Sequence, residues 1–146
     1  MSSVNFGTIL KLFISESGNQ QRVPKESLEL DVLGVKDDKF YNKDVSRSVL
    51  ITSMHSYNLI KEYAIDMPFG YLGENILIDA NPYNLEIGTR LKVGSAVLEL
   101  SNSCTICNHL SVIDKRIPAL LKNDRGVFAK VVQDGCISEG DAISVL

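Results

Sequence analysis

A mainly β fold, an antiparallel barrel or sandwich with a few short helices, is predicted by three features of the sequence. Apolar residues recur mostly with period two, turn signals return about every ten residues between β-branched runs, and one stretch alone carries a clear helical pattern. At 146 residues the chain fits one domain, taken as residues 1–146, and it has no internal repeat, low-complexity tract or linker to divide it.

The elements follow in order. Thr8–Ile14 and Leu28–Val35 read as strands, and Ser48–Thr52, just after Arg47, as a third. Ser53 then caps a helix over residues 53–66, with Tyr57, Ile60 and Ala64 on one face and Pro68 beyond its end. A strand is expected over 74–79, and 89–93 with 96–100 form a hairpin closed by Gly94-Ser95. Residues 126–135 and 142–146 read as a final strand pair separated by the turn-rich segment Asp134 to Asp141. Between Ser101 and Asp124 lies a long connection in which RIPALL forms a short helix; connections of that length are usually functional or partly helical.

Composition narrows the function classes. The chain is 45% hydrophobic and 23% charged, the balance of a soluble globular protein. A formal charge of −3 provides no general attraction for nucleic acid or an anionic membrane, so neither is expected as a partner. An anionic ligand would need a local basic cluster. The first residues lack the pattern of a secretory signal, and no apolar run approaches the roughly 20 residues of a membrane span. Three cysteines, an odd number without an export signal, point to reduced thiols in the cytoplasm.

The chemistry-bearing segment is LSNSCTICNHL, residues 100–110, with Cys104 and Cys107 in C-x-x-C spacing and His109 after them. Structural zinc needs four ligands, and these supply at most three, leaving Cys136 or His55 to come from far away; no structural zinc is expected. A thioredoxin-type dithiol requires a helix start within a parallel unit, which the pattern here does not offer. Two readings stay open on the residues alone: a reactive thiol at a strand end, or two small buried hydrophobes. His55 and His109 are isolated. Glu74 and Asn75 open a strand after two glycines, either satisfying a turn or aimed into a cleft. Arg47 and Arg125 each stand at a strand mouth, as solvated residues or as an anion-binding pair.

The order of the pieces resembles the MOSC family, named after the C-terminal domain of molybdenum cofactor sulfurase. GYLGENILI, then IGTRLKVGSAVLELSNSCTIC, then RGVFAKVVQDGCISEGDAISVL match the family's G-E-N turn, its G-x-x-L-x-[IV]-G hairpin, a strand ending in Ser or Thr with a cysteine six residues on, and its final R-G-[VI]-[FY]-A-x-V and G-x-I-x-x-G-D motifs. More loosely, LGVKDDKF and SRSVLIT match N-terminal family segments, with Asp38 and Arg47 in place. Two departures stand out: Phe40 where histidine is common, and Ile106 where proline often precedes the cysteine.

The resemblance implies a MOSC-like β-barrel in a short stand-alone member. Ser101 plus six places the family cysteine on Cys107 and leaves Cys104 as a neighbour or a resolving thiol. It implies that Cys107 ligates the molybdenum of molybdenum cofactor (molybdopterin) or carries sulfur, as a soft ligand or nucleophile. Arg47 and Arg125 would hold the pterin phosphate, and Glu74 and Asn75 would orient the ring system. Expected partners are a small-molecule cofactor or substrate, with molybdoenzymes or a sulfur donor. Sulfur transfer and reduction of N-hydroxylated bases are the enzymatic alternatives, and a non-catalytic ligand-binding module is the third. No lysine site for pyridoxal phosphate is evident.

Overall fold

The computed structural model describes residues 4–18, 22–104, 110 and 113–146. Among these residues the strands are β1 (Val4–Ile14), β2 (Val23–Lys25), β3 (Ser27–Asp31), β4 (Gly34–Val35), β5 (Val49–Ser53), β6 (Ile76–Ile78), β7 (Arg90–Val93), β8 (Ala96–Ser103), β9 (Val127–Gln133), β10 (Gly135–Ser138) and β11 (Ala142–Val145). The helices are α1 (Met54–Lys61) and α2 (Ile117–Leu120), with a 3-10 turn at Val45–Arg47. No helix among the described residues is long and apolar enough to cross a membrane.

Seven strands close into a barrel in the order β11-β7-β8-β9-β5-β6-β1, with β1 returning to pair β11 and with β2 added beside β1. A closed sheet leaves few unpaired edges. The pairings are antiparallel except β5 with β6, where Ile51 faces Ile76 and α1 lies in the crossover that a parallel pair requires. A second sheet, β10-β3-β4, contributes Leu28, Leu30, Val35 and Ile137 to the same apolar cluster as the barrel strands. Inward-facing side chains such as Ile9, Ile51, Ile76, Leu98, Leu100 and Ala129 fill the barrel. Tyr57 and Ile60 of α1 meet Leu77, Ile117 and Leu121 in a second apolar cluster outside it.

The mainly β barrel is as expected, and several boundaries differ for local reasons. Leu28–Val35 is two strands, because Asp31 Oδ1 accepts the Leu33 amide at 2.8 Å and Gly34 takes φ 130°, which turns the chain. The helix starts on the Ser53 cap, whose hydroxyl accepts the His55 amide, but ends at Lys61. Ala64 adopts φ 59°, a left-handed conformation that terminates the helix and turns this residue out to solvent, off the Tyr57–Ile60 face.

The supposed final pair is not a pair. β9 lies between β8 and β5, whereas β11 lies between β7 and β1. The turn-rich segment between them contains β10, whose Ile137 is fully buried and pairs opposite Leu28. Gly135 is needed at its start: a Cβ there would stand 2.5 Å from the Ser95–Ala96 backbone.

Two tyrosines beneath the barrel give the fold a pH limit. Burial pushes the hydroxyls of Tyr57 and Tyr83 well above the usual tyrosine range, and the nearby Glu74 carboxylate adds to this. The unfolded phenols ionise near 10 while the folded ones stay neutral, so the folded state loses stability as pH rises above about 10. Urea titrations at increasing alkaline pH are expected to show a slope of up to about 1.4 kcal/mol per pH unit for each tyrosine. Tyr57→Phe or Tyr83→Phe should each flatten it, and an unchanged slope in both would overturn the assignment.

Candidate functional site

Residues that flank six strands come together beside β5 and β9, on the face where Leu50 and Phe128 alternate with the core residues Val49, Ile51, Val127 and Ala129. Ser15 follows β1, Arg22 precedes β2, Ser48 precedes β5, Asn75 precedes β6, Cys104 follows β8, and Arg125 stands just ahead of β9. All of these but Ser15 line a cavity of about 380 Å³ with Arg22, Lys43, Arg47 and Arg125 as its cations and Asp38 and Asp44 as its carboxylates. An acidic chain thus carries a local basic pocket.

Both carboxylates are engaged by the protein itself. Asp44 caps the 3-10 turn, accepting from the amide and the hydroxyl of Ser46 at 3.2 and 2.8 Å. Asp38, on the wall and nearly buried, accepts the Ser15 amide at 2.6 Å and the Phe40 amide at 3.0 Å, and pairs with Arg22 Nη1 at 3.5 Å. Burial holds the Arg22 guanidinium below the ordinary arginine range, opposed by Asp38 and then Glu74. The cations therefore have positive potential to spare.

Arg125 is 3% exposed, donates from Nη1 to Cys104 Sγ at 3.1 Å, and has no partner at Nε among the described residues. Arg22 Nη1 likewise makes no hydrogen bond there. Arg47 is exposed at the mouth, its guanidinium 5.4 Å from the centre of the Phe128 ring. Phe40, in the position where the related motif often has histidine, lines the same mouth and lies 5.1 Å beneath Lys39 Nζ.

Of the expected site residues, Arg47, Asn75 and Arg125 line this cavity together. Asn75 is consumed structurally: its Oδ1 accepts the Leu50 amide at 3.1 Å, and its Nδ2 donates to Phe13 O and Asp38 Oδ1 at 3.2 and 3.3 Å. Its visible work is to hold Asp38. Glu74 is fully buried behind the wall, where its Oε2 accepts the Tyr57 hydroxyl at 2.5 Å and the Thr52 hydroxyl at 2.7 Å. Cys107 and His109 lie outside the described residues. His55, on α1, meets Asp124 at 3.2 Å, and Cys136 is exposed on β10; neither lines the cavity.

Arg22 and Lys43 are members that sequence reasoning passed over, and Cys104, read there as a neighbour or resolving thiol of Cys107, is itself on the cavity wall. The signal for Arg22 is the one that singled out Arg47 and Arg125, an arginine directly before a strand, here β2. Cys104, 8% exposed, has its amide bonded to Gly126 O at 3.0 Å, which seats it beside Arg125.

The fold recurs in solved structures. The YuaD protein from Bacillus subtilis superposes with a TM-score of 0.81 at 16% identity, over 99% of this chain and 98% of that one. A hypothetical protein superposes with a TM-score of 0.76 at 18% identity, over 97% and 69%. YiiM from Escherichia coli superposes with a TM-score of 0.69 at 18% identity, over 93% and 69%. No curated protein matches by sequence. A profile of the MOSC domain matches residues 36–144, which span the G-E-N turn, the β7–β8 hairpin and the strands after Arg125. With its barrel and ordered motifs accounted for in this way, the chain belongs to the MOSC domain family.

Proposed function

We propose that this chain binds molybdenum cofactor, or a related anionic ligand containing sulfur, in the basic cavity, with Cys107 as the thiol that ligates the metal or carries the sulfur. The observation that carries the reading is the pair of buried guanidinium nitrogens, Arg22 Nη1 and Arg125 Nε, that make no hydrogen bond among the described residues. Buried donors are normally satisfied, and a phosphate or other oxyanion satisfies several guanidinium N–H groups at once. The residues fit the group in charge as well: Arg22, Lys43, Arg47 and Arg125 would receive a phosphate, and a thiolate is a soft ligand suited to a metal with sulfur partners. When bound, such a cofactor supplies redox and sulfur chemistry; the side chains named here bind and orient it. Asp38 and Asn75 keep Arg22 in place and Glu74 braces the wall from behind.

Bound molybdenum per chain, measured after expression with the metal supplied, tests the reading. Wild type is expected to approach one equivalent. Arg47→Gln, an exposed position with little effect on folding, should weaken retention by about tenfold or more. Equal molybdenum in wild type and Cys107→Ser would overturn thiol ligation, and no molybdenum or other anionic ligand in wild type would overturn the binding assignment.

A further inference from the structure

We infer that Cys104 is a working thiol of this cavity in its own right, the acceptor of sulfur from a small anionic sulfane donor of the thiosulfate class. The inference rests on the sulfur chemistry proposed above and adds to it a donor class and the residue that is loaded. Three observations carry it. Cys104 Sγ receives the Arg125 Nη1 donor at 3.1 Å, an arrangement that favours an ionised, nucleophilic sulfur. The same guanidinium, 3% exposed, keeps Nε without a hydrogen-bond partner among the described residues while lining the cavity, so it still has a donor for an incoming oxyanion. Arg22, whose Nη1 makes no hydrogen bond among the described residues and stands 3.5 Å from Asp38 Oδ1, lines the cavity as well, together with Lys43 and Arg47.

A donor suited to these groups has a doubly charged oxyanion end for the guanidinium groups and an electrophilic outer sulfur for the thiolate. Thiosulfate has both, whereas an uncharged persulfide leaves the arginines unpaired. After the thiol proton has gone to solvent, the Cys104 thiolate attacks the outer sulfur. A new S–S bond forms at Sγ, the S–S bond of the donor breaks, and its electron pair departs on sulfite, which the cations stabilise as it develops. Cys104 becomes a persulfide, and no external oxidant or reductant is consumed. Cys104 also borders a second cavity of about 500 Å³, with Tyr83, Lys122 and Asn123 on its wall, from which an acceptor can approach the loaded sulfur.

The full-length protein incubated with thiosulfate carrying a radioactive outer sulfur gives two readouts: sulfite released, and the residue bearing the label, located by fragment-ion mapping. Cys107→Ser is used to trap the product, because it removes the thiol nearest in sequence that could displace the added sulfur as sulfide. It is expected to release one sulfite per chain and carry the label on Cys104. Cys104→Ser should load at least about tenfold more slowly, and Arg125→Lys, which keeps the charge but loses the fork geometry, should slow loading by about tenfold. Label confined to Cys107 in wild type, or absent from Cys107→Ser, overturns the inference; mapping on the wild-type chain makes this independent of how Cys104→Ser folds. Molybdenum content of the same preparations separates the two proposals. Metal retained without label on Cys104 overturns this one alone, and label without metal overturns the cofactor reading alone.

Discussion

Asp38→Ala is expected to unfold at markedly lower urea concentration than wild type, by a difference of about 3–5 kcal/mol, and to lose its anionic ligand as well. The size follows from what the carboxylate holds. Its side chain is 2% exposed, and it accepts the buried amide of Ser15, the amide of Phe40 and the side-chain amide of Asn75. Removing it strips an acceptor from two buried donors, the Ser15 amide and the Asn75 side-chain amide, at about 1–3 kcal/mol for each one left unsatisfied. It also leaves Arg22 as a buried cation without its nearest counter-charge, and burial already disfavours that charge. The Arg22 guanidinium would then swing toward solvent, taking one of the two unsatisfied donors out of the cavity. Asp38→Asn separates the two effects. It keeps the shape and can still accept at one oxygen, so it should recover part of the stability while ligand retention stays low. Ligand retention equal to wild type in a folded Asp38→Ala chain would overturn the role given to Arg22.

The strands that form locally were legible, and so were the residues that stand at their mouths. The β7–β8 hairpin needs only Gly94 at φ 55° and alternation on either side, and both are written in eleven consecutive residues. Arg47, Asn75 and Arg125 could be placed at strand ends because each adjoins an apolar run. Ring closure was not legible in this way. It depends on β1 pairing with β11, residues separated by nearly the whole chain, and alternation does not say which edge a strand will join. β10 was hidden for a different reason: with Ile137 as its one fully buried side chain, it has too little periodicity to stand out from the turns around it. Lys43 was missed, and the contact of Cys104 with Arg125 was not foreseen, because both depend on proximity in space, a consequence of closure rather than of spacing.

Glu74→Ala should cost a comparable amount, about 3–5 kcal/mol, for reasons that reach the cavity only indirectly. The carboxylate is 0% exposed and anchors two hydroxyls, those of Tyr57 and Thr52, on one oxygen. Its loss leaves both without an acceptor in a region packed by Leu72, Leu77 and Ile60, where water has little room to replace it. Tyr57 is also where the Gly70 amide finds its acceptor, at 3.2 Å, so the turn that leads into Gly73, Glu74 and Asn75 loosens along with the tyrosine. Glu74→Gln keeps an acceptor for both hydroxyls and places its NH2 where Oε1 has no hydrogen-bond partner, so about 1–3 kcal/mol of loss is expected. The contrast with Arg47→Gln is the decisive measurement. If Glu74 acts by bracing the wall, Glu74→Gln lowers the urea midpoint and leaves ligand content per folded chain near wild type, while Arg47→Gln does the reverse. A Glu74→Gln protein with wild-type stability but no retained ligand would instead place this carboxylate in direct contact with what the cavity holds, and the wall-bracing role would be abandoned.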